Sequence, residues 1–135
     1  MESAVQEVLE LVDRIADLES QIRAVDADLA TPRQQVQVIH ASTVLEVSAA
    51  RDEKGRFLYP NAKSREAAVI VRLSENLAYQ GAKRTIQEAT RQREQLIIEQ
   101  MRLQQRRDVL MAVLPGQRPS QNQDPANGTA NRQAG

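Results

Sequence analysis

The 135-residue chain carries 18 basic and 18 acidic side chains, and it has no cysteine and no Trp. Those numbers exclude disulfides, thiolate metal sites and cysteine nucleophiles, and a net charge of zero argues against a general nucleic-acid or membrane-surface binder. Aromatic residues make up 2%, too few to supply the buried area of a compact single core.

Alanine, Leu, Gln, Glu and Arg dominate, a helix-forming composition. Ser3-Ala-Val-Gln6 reads as a capping box that opens the first helix. Apolar residues then fall at Val8, Leu11, Ile15, Leu18, Ile22, Val25 and Leu29. Spacing that alternates three and four is a heptad seam, and the register continues through Val36 and Ile39. Pro32 falls on this seam, inside a second capping box, Thr31-Pro-Arg-Gln34. A kink is therefore expected near Pro32, followed by helix to about Ala50. The β-branched Val44 and Val47 keep a strand over residues 36–47 as the competing reading.

The stretch Asp52-Glu-Lys-Gly-Arg-Phe-Leu-Tyr-Pro-Asn61 interrupts the helical pattern with Gly55 and Pro60. It reads as an extended or turn-like tip, after which Asn61 caps a returning helix. In an extended segment Phe57 and Tyr59 point to the same side. Val69, Leu73 and Leu77 share one face of the returning helix, and Asn76 and Gly81 mark a second break. Leu96, Leu103 and Leu110 are seven apart, with Arg93, Gln100 and Arg107 at the alternate seam positions.

The predicted fold is all-α: a long antiparallel helical hairpin, or coiled coil, kinked near Pro32 and Asn76–Gly81. Residues 3–50 form the first arm, 51–60 the tip and 61–114 the second arm. Residues 115–135 contain no Val, Leu, Ile, Met or aromatic side chain and read as a disordered tail. Folding at the tip lays residue i near residue 112 − i. It sets the acidic residues 1–30, net −6, along the basic residues 82–114, net +3. Val5, Val12, Val38, Leu45, Val71, Ile98, Val109 and Val113 lie off the seams. They suggest a second apolar face and a homo-oligomer.

Function is less legible. The chain has no Walker loop, no dinucleotide glycine fingerprint and no carboxylate metal loop, and His40 is its single histidine. No enzyme, cofactor or metal is expected. The start carries Glu2, Glu7 and Glu10, unlike the basic start of a secretory leader. The longest apolar run, residues 67–71, is far too short for a bilayer. A cytoplasmic protein without membrane contact is the expectation. Arg56, Phe57, Tyr59 and Arg65 form a candidate partner-binding tip, since aromatic and Arg side chains are common at binding hot spots. Arg102, Arg106 and Arg107 are candidate nucleic-acid contacts on the second arm. The leading expectation is a structural or adaptor protein that self-associates and meets an unknown protein partner. The alternative is a nucleic-acid-associated accessory factor in phage recombination or replication.

Residues 52–80 resemble small helical-hairpin proteins of phages, prophages and bacterial mobile elements. The matching positions are Asp52, Gly55, Arg56, Tyr59, Asn61, Arg65, Leu73, Asn76 and Tyr79, while Leu77 stands where such proteins often have Pro. The resemblance implies a helical hairpin and no particular activity. In shape alone, a hairpin with a short extended tip also resembles a prefoldin-type subunit, which carries little functional weight.

Overall fold

A computed structural model describes residues 2–114, and the expected disordered tail lies outside those residues. Among the described residues the regular structure is helical: α1 (Glu2–Asp28), α2 (Ala30–Ala49), α3 (Ala62–Glu75) and α4 (Leu77–Val113). Residues 36–47 are helix in α2, so the strand alternative falls.

By contacts the chain divides into two compact units. Among the described residues, the first joins 2–22 with 95–114, and the second is Arg23–Glu94. In the first unit the seam of α1 is buried at Val8, Ile15 and Leu18, with Leu11 half-buried. On α4 the residues Leu96, Gln100, Leu103, Arg107 and Leu110 are half-buried, and Leu114 beyond its end is buried. Glu7 pairs with Arg106 at 2.7 Å and Arg14 with Glu99 at 2.9 Å. Both pairs sit one residue from the 112 − i register. Gln100 Nε2 also donates to the carbonyl of Ile15 at 3.4 Å, which explains how a polar residue occupies a seam position.

In the second unit α2 packs on α3. Val47, Val69 and Leu73 form a core cluster, with Ile39, Tyr59, Ala68 and Tyr79 against it. Glu46 and Arg72 pair across the two helices at 3.6 Å, and Asp26 of α1 pairs with Arg93 of α4 at 2.6 Å. Leu29 is 1% exposed, and the seam passes from it through buried Pro32 and half-buried Val36 and Ile39 to buried Thr43 and Val47.

Two expected caps need correction, and the two expected breaks are each placed on a single residue. α1 starts at Glu2, so Ser3 lies inside its first turn and is not its cap. The break expected near Pro32 falls at Leu29, and no side chain caps α2. Leu29 itself keeps near-helical angles, φ −75 and ψ −18, and hydrogen bonds cross the break from Leu29 N to Val25 O and from Arg33 N to Leu29 O, both 3.1 Å. Proline lacks the N–H that would continue the ladder to residue 28, and the helices absorb that loss within one residue. Thr31 is thus a first-turn residue rather than a cap. The second break is confined to Asn76, whose φ of −85 and ψ of 110 are extended; Gly81 is inside α4.

Asn76 does two jobs at that break. Its N–H reaches Leu73 O at 3.2 Å, ending α3, and its Oδ1 accepts from Tyr79 N at 2.8 Å, starting α4. The change of register overturns the expected face of Val69, Leu73 and Leu77. Val69 and Leu73 are buried, but Leu77 is 87% exposed, and Tyr79 packs on the cluster instead.

Candidate interaction tip

The chain leaves α2 at Ala50, whose ψ of 133 is extended, and forms a small antiparallel bridge between Arg51 and Phe57. Asp52 N donates to Arg56 O at 2.8 Å, and Gly55 N donates to Asp52 O at 3.0 Å. Glu53, Lys54 and Gly55 are therefore a three-residue hairpin loop, the kind in which a turn is followed by one left-handed residue. Gly55 supplies that residue with φ of +81. A Cβ there would meet nothing within 4 Å, so the backbone angle alone selects glycine.

Asp52 holds the loop together. Its Oδ1 accepts from Lys54 N and Arg56 N, both at 2.9 Å, and its Oδ2 accepts from Arg56 Nε at 3.3 Å. A carboxylate that bonds the backbone two residues on is an Asx-turn. Arg51 clasps the other side, donating from Nη1 to Gly55 O at 2.9 Å. Its guanidinium lies 4.1 Å from the centre of the Phe57 ring, a cation–π distance. Leu58 N returns to Ala50 O at 2.9 Å.

The expectation that Phe57 and Tyr59 face one way fails, because only a single bridge is extended and the chain bends after it. Tyr59 is half-buried against Val47, Val69 and Leu73. Phe57 is 52% exposed and Leu58 48% exposed. Asn61 then caps α3 as expected. Its Oδ1 accepts from Ser64 N at 2.8 Å, while Ser64 Oγ accepts from Asn61 N at 3.4 Å. Arg65 Nη1 donates to Tyr59 O at 3.2 Å, tying the aromatic segment to α3.

Of the four candidate tip residues, Tyr59 and Arg65 brace the junction, Arg56 serves the loop, and Phe57 is presented outward. Sequence reasoning passed over Arg51 and Leu58. The signal was an arginine six residues before an aromatic, across an Asp-x-x-Gly turn. Beside the tip, an open groove of about 320 Å³ runs between α2 and α3. His40, Val44 and Ser48 line one wall, and Arg65, Glu66 and Val69 the other.

The candidate nucleic-acid residues lie in the other unit. Arg102 is exposed. Arg106 is occupied by Glu7, and Arg107 pairs with its neighbour Asp108 at 3.1 Å. No group of three His, Cys, Asp or Glu residues is placed to hold a metal among the described residues, and no described helix is long and apolar enough to cross a membrane. Comparison with family models, with curated proteins and with solved structures returned no match.

Proposed function

We propose that this chain is a non-enzymatic structural or adaptor protein, an antiparallel helical hairpin that self-associates and offers its tip to a protein partner. The observation that carries the reading is the division of labour in the tip. Tyr59 packs on the helix core, while Phe57 and Leu58 stand about half exposed on a loop held by Asp52 and Arg51. A loop this heavily cross-bonded loses little entropy when it binds. A mobile connection would need neither the Asp52 cluster nor the Arg51 stack. The cross-helix pairs Glu7–Arg106 and Arg14–Glu99 support antiparallel arms. The resemblance of residues 52–80 suggests a phage or prophage setting for such a role.

The test uses Phe57→Ala and Tyr59→Ala as separate baits in affinity capture from the source cell, each with its melting curve. Phe57→Ala is expected to lose the captured partner while its melting temperature holds. Tyr59→Ala is expected to lower stability by about 2–3 kcal/mol, as loss of a large packed ring does. Capture unchanged by Phe57→Ala sinks the tip reading. The accessory-factor alternative is supported instead if the wild-type chain is retained on single- or double-stranded DNA and released by salt.

A further inference from the structure

The seam that joins α1 to α4 repeats itself every seven residues. Val8, Ile15 and Ile22 on α1 are equivalent in a heptad, and so are Leu96, Leu103 and Leu110 on α4. Sliding one helix past the other by seven residues, about 10 Å, would set apolar residue against apolar residue again. At these positions hydrophobic burial discriminates poorly between the native register and its neighbours, and the alternate positions of α4 are polar at Arg93, Gln100 and Arg107. The charges beside the seam do discriminate. Glu7 meets Arg106, and one heptad later Arg14 meets Glu99, with the sign reversed.

We infer that this reversal of sign is a register code that rejects a one-heptad slip in either direction. A slip one way brings Arg14 opposite Arg106 and leaves Glu99 opposite Gln21. A slip the other way brings Glu7 opposite Glu99 and leaves Arg14 opposite Gln92. Each slip thus loses both native pairs and creates one like-charge contact. Two pairs of the same sense would have kept one attractive contact on slipping and met no repulsion. The paired side chains keep 38% to 59% of their surface exposed, so each adds little to stability by itself.

The inference rests on the proposed pairing of the two arms, and the test separates the two. The chain has no cysteine, so engineered thiols report position cleanly. Ile15→Cys with Gln100→Cys reports the native register, since Gln100 contacts Ile15. Ile15→Cys with Arg107→Cys reports a slip of one heptad. Intramolecular disulfide formation is measured for both reporters at low protein concentration. It is measured in the native background and in the doubly swapped Glu7→Arg/Arg106→Glu background. The swap keeps an opposite-charge contact at both native positions, yet makes the slipped contacts attractive too. Charge contacts too screened to select a register predict no change. A register code predicts that the slipped-to-native crosslinking ratio rises about fivefold, as exposed charge contacts of changed sign allow. An unchanged ratio overturns the code and leaves the pairing intact. Failure of the native reporter to crosslink in the native background overturns the pairing itself, and the code with it.

Discussion

Leu18 and Thr43 show how much one seam position decides. Leu18 is 1% exposed, so Leu18→Ala should cost about 3 kcal/mol through lost burial and the cavity left behind. Leu18→Asp should cost more, since it also buries an unpaired carboxylate; circular dichroism melts that match the wild type would remove Leu18 from the core. Thr43 is 6% exposed and polar. Its hydroxyl donates to Ile39 O at 2.7 Å, inside its own helix, a local bond that satisfies the group without serving the fold. The carbonyl of Ile39 has the helical ladder as well. Thr43→Val should therefore hold stability within about 1 kcal/mol or raise it. A loss above about 2 kcal/mol in a chemical denaturation curve would mean that the hydroxyl serves some further partner.

At the scale of elements, Asn76 sets which residues of α4 reach the core. If α3 and α4 ran on as one helix, Leu77 would lie one turn after Leu73 and share its buried face. With the break, Leu77 is 87% exposed. Leu77→Lys should then leave the unfolding free energy within about 0.5 kcal/mol, as surface changes do; a loss of 2 kcal/mol would argue for a continuous helix. The seam of α1 was legible because a heptad repeat is a long, redundant signal, and Val8, Ile15 and Leu18 are buried where the spacing put them. The Asn61 cap was legible because its chemistry is local. The caps at Ser3 and Thr31 were misread because a capping sequence inside a longer apolar pattern has no helix end to serve. Leu77 was misplaced because a one-residue break changes every later register, and composition does not reveal its length. The tip was legible as a turn from Gly55 and Pro60. The opposite fates of Phe57 and Tyr59 were not, since they depend on where α2 and α3 meet.

Across the molecule, the exposed apolar side chains bear most directly on self-association. In the first unit, Val5, Leu9 and Val12 of α1 stand 45%, 56% and 45% exposed. Their spacing of four and three places them along one stripe beside the buried seam. Leu9 completes a stripe that the sequence suggested only through Val5 and Val12. A zero net charge puts no long-range repulsion between copies. If copies associate through this stripe, folding and association are linked, and the melting temperature should rise with protein concentration. Over a hundredfold concentration range the wild-type chain should show that rise, and sedimentation should give a mass above the monomer. Leu9→Glu with Val12→Glu should bring the mass to the monomer and flatten the concentration dependence. Its helicity should stay, because neither residue is in the buried seam. A wild-type melting temperature independent of concentration would refute self-association. A variant that stays oligomeric would move the interface to another face of the chain.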